Sequence, residues 1–159
     1  MRPQPFEPEP LAGDERFVRD GVGGLVWHRV FSRVLYADTD RSGVVYHANY
    51  LRYFELGRAS LMRDVGYPYA TVERNGHVYP IVDLGITFAW PLHYDDGLWV
   101  HTRPAELHKV RVTFDYLISA AADGKTICKG FTRHCALNRN GRPVAVDPLT
   151  VSMWESFPR

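Results

Sequence analysis

Apolar side chains recur along this chain in two rhythms, one helical and one alternating. From residue 47 to 65, Tyr50, Phe54, Gly57, Leu61 and Val65 follow one another at intervals of four, three, four and four, while Arg52, Glu55 and Arg63 take the other side. That spacing predicts an amphipathic helix, and Gly66 before Tyr67-Pro68 stops it. A shorter helical piece is expected over about 69–75. Ahead of the long helix, residues 25–37 are rich in β-branched and aromatic types and hold no Gly or Pro, which suits a strand. Behind it the period falls to two. Val82, Leu84, Ile86, Phe88 and Trp90 alternate with smaller or polar residues, and so do Val110, Val112, Phe114, Tyr116 and Ile118. Each set reads as a strand with one apolar face. Another strand is expected at 98–107. Asp123-Gly124 signals a hairpin into a strand at 125–138, and Asn140-Gly141 with Pro143 limits the next segment to an edge piece.

A sheet with one apolar face must cover it, and one long amphipathic helix is the cover on offer. The expected class is therefore α+β, a long central helix against a curved antiparallel sheet of about five strands. Residues 1–20 hold four prolines, scattered charges and few apolar side chains, and are expected to be a flexible tail ahead of a single domain at 21–159.

Composition changes this picture little. The 159 residues carry a formal net charge of +1, with no Lys/Arg-rich run, so the basic footprint of a nucleic-acid partner is missing. No apolar run is long enough for a membrane span. The two cysteines, Cys128 and Cys135, fall on opposite faces of one strand and make a poor disulfide pair, so a reduced, cytoplasmic setting is expected. The nucleophile elbow, the P-loop and the dinucleotide glycine fingerprint are all missing.

Candidate chemistry is concentrated in Tyr36-Ala-Asp-Thr-Asp-Arg-Ser-Gly-Val-Val-Tyr-His-Ala-Asn-Tyr50. Two carboxylates, Asp38 and Asp40, end the first strand. A Ser42-Gly43 turn follows, and a helix begins near His47. A carboxylate ahead of a helix start can act as base or nucleophile, while free amides of the first turn stabilise a developing oxyanion. Turn chemistry is the alternative use of such aspartates. A calcium loop would need further oxygen ligands at fixed intervals, which are not there.

This block resembles the signature of the hotdog-fold acyl-CoA thioesterases, in the 4-hydroxybenzoyl-CoA thioesterase-like branch that includes the Tol–Pal-associated acyl-CoA thioesterase. Tyr36, Asp38, Asp40, Gly43, the Val44-Val45-Tyr46-His47 run, Asn49-Tyr50 and Phe54-Glu55 stand in the family's order and spacing. The resemblance implies a thioester hydrolase that needs no cofactor or metal. It puts the catalytic carboxylate on Asp40 and the oxyanion-binding helix start at His47, where the backbone N–H is the expected donor. Asp38 reads as structural. The resemblance also implies a homodimer or homotetramer with active sites at the subunit interface. Apolar residues on both faces of 25–37 (Trp27 and Phe31 against Val26 and Val30) call for such a partner as well.

Gly43, Val45, Tyr46 and Tyr50 are expected to contact the substrate, and the aromatic supply of Tyr46, Tyr50, Tyr53 and Phe54 suits an aryl or medium acyl group, although such residues also serve as plain core. Glu55, flanked by Arg52 and Arg58, is expected near the substrate in an ion pair rather than as the catalytic acid. Lys109 and Arg111 are candidates for gripping the phosphates of coenzyme A. A hotdog domain that binds acyl-CoA without turning it over is the alternative.

Overall fold

The computed structural model describes residues 2–159. In chain order it holds β1 (Glu9–Leu11), β2 (Asp14–Arg19), β3 (Val26–Arg33), α1 (Tyr50–Asp64), α2 (Tyr69–Arg74), β4 (His77–Val78), β5 (Ile81–Phe88), β6 (Gly97–Leu107), β7 (Arg111–Ala120), β8 (Thr126–Cys135), β9 (Leu137–Asn138) and α3 (Pro148–Ser156). Seven strands form one sheet in the order β1-β2-β3-β6-β7-β8-β5, and β4 pairs with β9 beside it. Every pairing is antiparallel.

The alternation read from the sequence decides which face is covered. Val112, Phe114, Tyr116 and Ile118 of β7 are buried in one apolar cluster with Tyr50, Phe54 and Leu61 of α1. The helix lies close on the sheet because Gly57 has no side chain. A Cβ there would run into Thr102 Oγ1 and stand 2.7 Å from Val100 Cγ1. Gly130 does the same service from the sheet side, since a Cβ there would stand 2.6 Å from the Phe54 ring. Phe54 instead stacks on Tyr116, with ring centroids 4.3 Å apart.

Three features differ from expectation. The sheet has seven strands rather than about five, because residues 9–19, within the segment expected as a tail, form the β1–β2 hairpin against β3. Phe6 is also buried, with its amide on the Gly124 carbonyl (2.7 Å) and its ring edge-on to His101. Single buried aromatics spaced between prolines carry no periodic signal, so burial here depends on the outer face of the sheet offering Trp27 and Leu117. The β7–β8 connection spans 121–125 rather than two residues, with Gly124 at φ +72°. Finally, α3 lies outside the expected elements, although Asp147-Pro148 is a helix-start signal in its own right. Asp147 caps it by accepting from Thr150 N (3.1 Å) and Thr150 Oγ1 (2.6 Å).

Candidate active site

The Asp38–Asp40 segment leaves β3 through a short 3₁₀ turn, and a second 3₁₀ turn at His47–Asn49 leads into α1. Between them the chain doubles back. Asp40 N donates to the Val44 carbonyl (2.9 Å) and Gly43 N to the Asp40 carbonyl (3.0 Å). Gly43 sits at φ +81°, a left-handed position that glycine fills without strain.

Asp38 is the anchor of this loop. It is 2% exposed. Its carboxylate accepts from Leu35 N, Arg52 Nη1 and the Tyr53 hydroxyl, each at 2.9 Å. Its carbonyl accepts from Tyr46 N and Asn49 Nδ2, also at 2.9 Å. Burial, reinforced by the bond to Asp38, pushes the Tyr53 phenol well above its usual range, so it stays a donor. One residue thus ties the end of the strand to the start of the helix.

Asp40 is placed differently. Its side chain is exposed, and Oδ1 accepts from Ser42 N at 2.8 Å. Tyr46, His47 and Ala48 are exposed as well. The His47 and Ala48 amides, first in the helical run, find no carbonyl among the described residues, as expected for the opening of a helix. The His47 ring tilts against Tyr46, with centroids 4.4 Å apart. Leu35, Tyr36 and Tyr94 add further exposed apolar surface to this end of the molecule.

The other candidates divide. Gly43 is exposed in the turn and Tyr46 borders it, while Val45 and Tyr50 are core side chains at 4% and 3% exposure. The ion pair expected of Glu55 with Arg52 or Arg58 does not form, because Arg52 is taken by Asp38 and Arg58 donates to the Tyr116 hydroxyl (2.9 Å). Glu55 instead lines a cavity on the flank of α1. Lys109 and Arg111 are exposed at the β6–β7 turn. That turn is at the wrong end of the sheet to meet Asp40 within one chain. Val112 pairs with His134, which also pairs with Ile81 at the start of β5. The helix start instead meets the far end of that strand, where Tyr50 packs on Phe88 at 5.3 Å. Eight strand residues separate the two ends by roughly 23 Å. Among the described residues no cluster of three or more His, Cys, Asp or Glu side chains could hold a metal ion, and no helix is long and apolar enough to cross a membrane.

Comparison with known proteins decides the family. Residues 34–153 match the family model described as thioesterase-like superfamily. The chain belongs to this superfamily. It shares 37% identity over 106 residues, 67% of its own length and 76% of the relative's, with the Bacillus subtilis protein named "Putative acyl-CoA thioesterase YneP". An Aquifex aeolicus crystal structure of a hypothetical protein superposes with a TM-score of 0.75 at 30% identity, covering 79% of this chain and 98% of that one. The DHNA-CoA thioesterase of Staphylococcus aureus superposes at 0.76 with 25% identity, covering 81% and 89%. The fold is the hotdog fold, and the resemblance read from residues 36–55 is to the right family. Thioester hydrolysis is the enzymatic activity of this thioesterase.

Proposed function

We propose that this thioesterase hydrolyses acyl-CoA to a carboxylic acid and free coenzyme A, with Asp40 as the catalytic carboxylate. The observation that carries the reading is the loop itself. Asp38 bonds to both limbs of a loop that carries an exposed carboxylate at Asp40 and two helix-start amides with no carbonyl partner among the described residues, and this supports the reading. Water, deprotonated by Asp40, attacks the thioester carbonyl, and charge developing on its oxygen is received by the His47 and Ala48 amides. Collapse breaks the C–S bond, and the departing thiolate takes the proton from Asp40. Direct attack by Asp40, giving an anhydride that water then opens, uses the same groups.

The site is completed by a second copy of the chain. β5 ends the sheet as an open edge. Val82 (54% exposed) and Phe88 (51% exposed) lie along it together with Ile81 and Leu84, and an apolar edge of this kind invites pairing. A two-fold pairing of β5 with its copy runs antiparallel and swaps the ends. The helix start of one subunit then faces the end that carries Lys109 and Arg111 of the partner subunit, where the two cations can hold the coenzyme A phosphates. Gly43 and Tyr46 border the acyl group, and the buried Val45 and Tyr50 hold that wall in place. The unbridged thiols of Cys128 and Cys135 agree with a reducing compartment such as the cytoplasm.

A thiol-release screen over aryl and short-to-medium aliphatic CoA esters tests this. A turnover that Asp40→Asn abolishes supports it. Saturable binding with no thiol released from any ester would replace it with a binding protein.

A further inference from the structure

A partly open cavity of about 150 Å³ lies between the flank of α1, the sheet and α3, and no residue from 36 to 50 contributes to it. Its apolar wall includes Phe114, Met153 and Trp154, and its one cation is Arg58. A cavity of roughly this volume lined by Leu, Ile and Phe admits a benzene ring.

The polar groups around it are ordered in one direction. An arginine only donates and a carbonyl only accepts. Arg58 Nη1–H therefore donates to the Tyr116 hydroxyl (2.9 Å), which donates to Thr132 Oγ1 (2.7 Å). The Thr132 hydroxyl donates to His134 Nε2 (2.8 Å), and His134 Nδ1–H donates to the Tyr79 carbonyl (2.8 Å). Burial, with Arg58 nearby, pushes the His134 imidazole down to about 4, so it is neutral and fits this tautomer. Each link in the chain is engaged. Among the described residues no carboxylate pairs with Arg58, whose remaining N–H groups face no acceptor in this relay. Trp154, 4% exposed, also has a buried Nε1–H with no acceptor among the described residues. Glu55, the lining's one carboxylate, is exposed, where water screens its charge.

We propose that this cavity binds a small carboxylate with an apolar body about one ring in size. Arg58 takes the carboxylate, and Phe114, Met153 and Trp154 enclose the body. No residue of the proposed catalytic loop lines the site, so the binding test does not depend on turnover. In titration calorimetry on the whole protein, benzoate binds and its neutral isostere benzamide binds at least about tenfold more weakly, as loss of a charge-assisted bond requires. Arg58→Met removes that preference, and Arg58→Lys restores part of it. Ala59→Phe, which fills the cavity from α1, abolishes binding and guards against a fold defect in the arginine variants. Equal affinity for benzoate and benzamide, benzoate binding that survives both Arg58→Met and Ala59→Phe, or no binding at all would overturn the site. Such a carboxylate could be a free acid or the far end of an acyl chain, and thiol release separates the two. Faster hydrolysis of adipoyl-CoA than hexanoyl-CoA, lost in Arg58→Met, fixes the acyl end. Equal rates fix the free acid, and either result keeps the site.

Discussion

Asp38 and Asp40, two residues apart, are put to different uses by the fold. Asp38 is buried and gathers three donors on its carboxylate. Asp38→Asn weakens bonds to a charged acceptor and should destabilise the protein by about 2–3 kcal/mol in urea unfolding. Asp40 holds one turn amide and faces outward, so Asp40→Asn should leave that midpoint nearly unchanged. The pair was visible in the sequence as a motif, and so was the structural reading of Asp38. Its particular partners, Arg52 and Tyr53, were not, since they depend on where the helix lands. The buried histidines show the same limit. His101 and His134 are both pushed down to about 4, in each case chiefly by burial. The unfolded chain takes up protons below about pH 6.5 that the folded one refuses, so this stability is complete above that pH and drains away toward pH 4. By pH 5 each histidine should cost roughly 2 kcal/mol of stability. Urea midpoints measured at pH 7 and pH 5 check this, and His101→Gln should flatten the dependence. Nothing in the spacing of seven scattered histidines singled these two out, because their burial comes from strand register between distant segments.

At the scale of elements, long periodic segments were legible and short aperiodic ones were not. The predicted helix over 47–65 is α1 with its leading 3₁₀ turn, and the alternating runs are β5 and β7. Gly57 was counted in the apolar stripe, but its reason is contact distance, which a sequence does not display. Gly57→Ala must move α1 off Val100 and Thr102 and should cost about 1–3 kcal/mol, read as a lowered midpoint of thermal unfolding. By contrast, β1, β2 and α3 rest on tertiary contacts. The last of these could have been read from Asp147. Burial alone would raise that carboxyl, but bonds from Thr150, Tyr79 and Tyr67 hold it below its usual value. An aspartate that caps a helix while holding two tyrosines works as a junction, and the sequence shows only its Asp-Pro signature.

For the whole molecule, the apolar edge and the separation of Lys109 and Arg111 from Asp40 point the same way. Either the candidate residues are unrelated, or a second subunit brings them together. The first strand's two apolar faces hinted at a partner, but the specific edge became legible only once β5 was seen to end the sheet. Leu84→Lys, at the middle of that edge, should shift the protein toward monomer in sedimentation and reduce thiol release with it. An unchanged oligomer that keeps its rate would remove β5 from the interface. Mixing Asp40→Asn subunits with Lys109→Ala/Arg111→Ala subunits should regain part of the activity each lacks alone, since a mixed dimer holds one intact composite site.

The claim on which the rest depends is that residue 40 does chemistry. Steady-state thiol release from the best CoA ester, measured for wild type and Asp40→Asn at equal folded concentration, addresses it most directly. In Asp40→Asn, kcat should fall at least about 100-fold, with KM and the thermal midpoint little changed. An Asp40→Asn enzyme that keeps its wild-type kcat would contradict it.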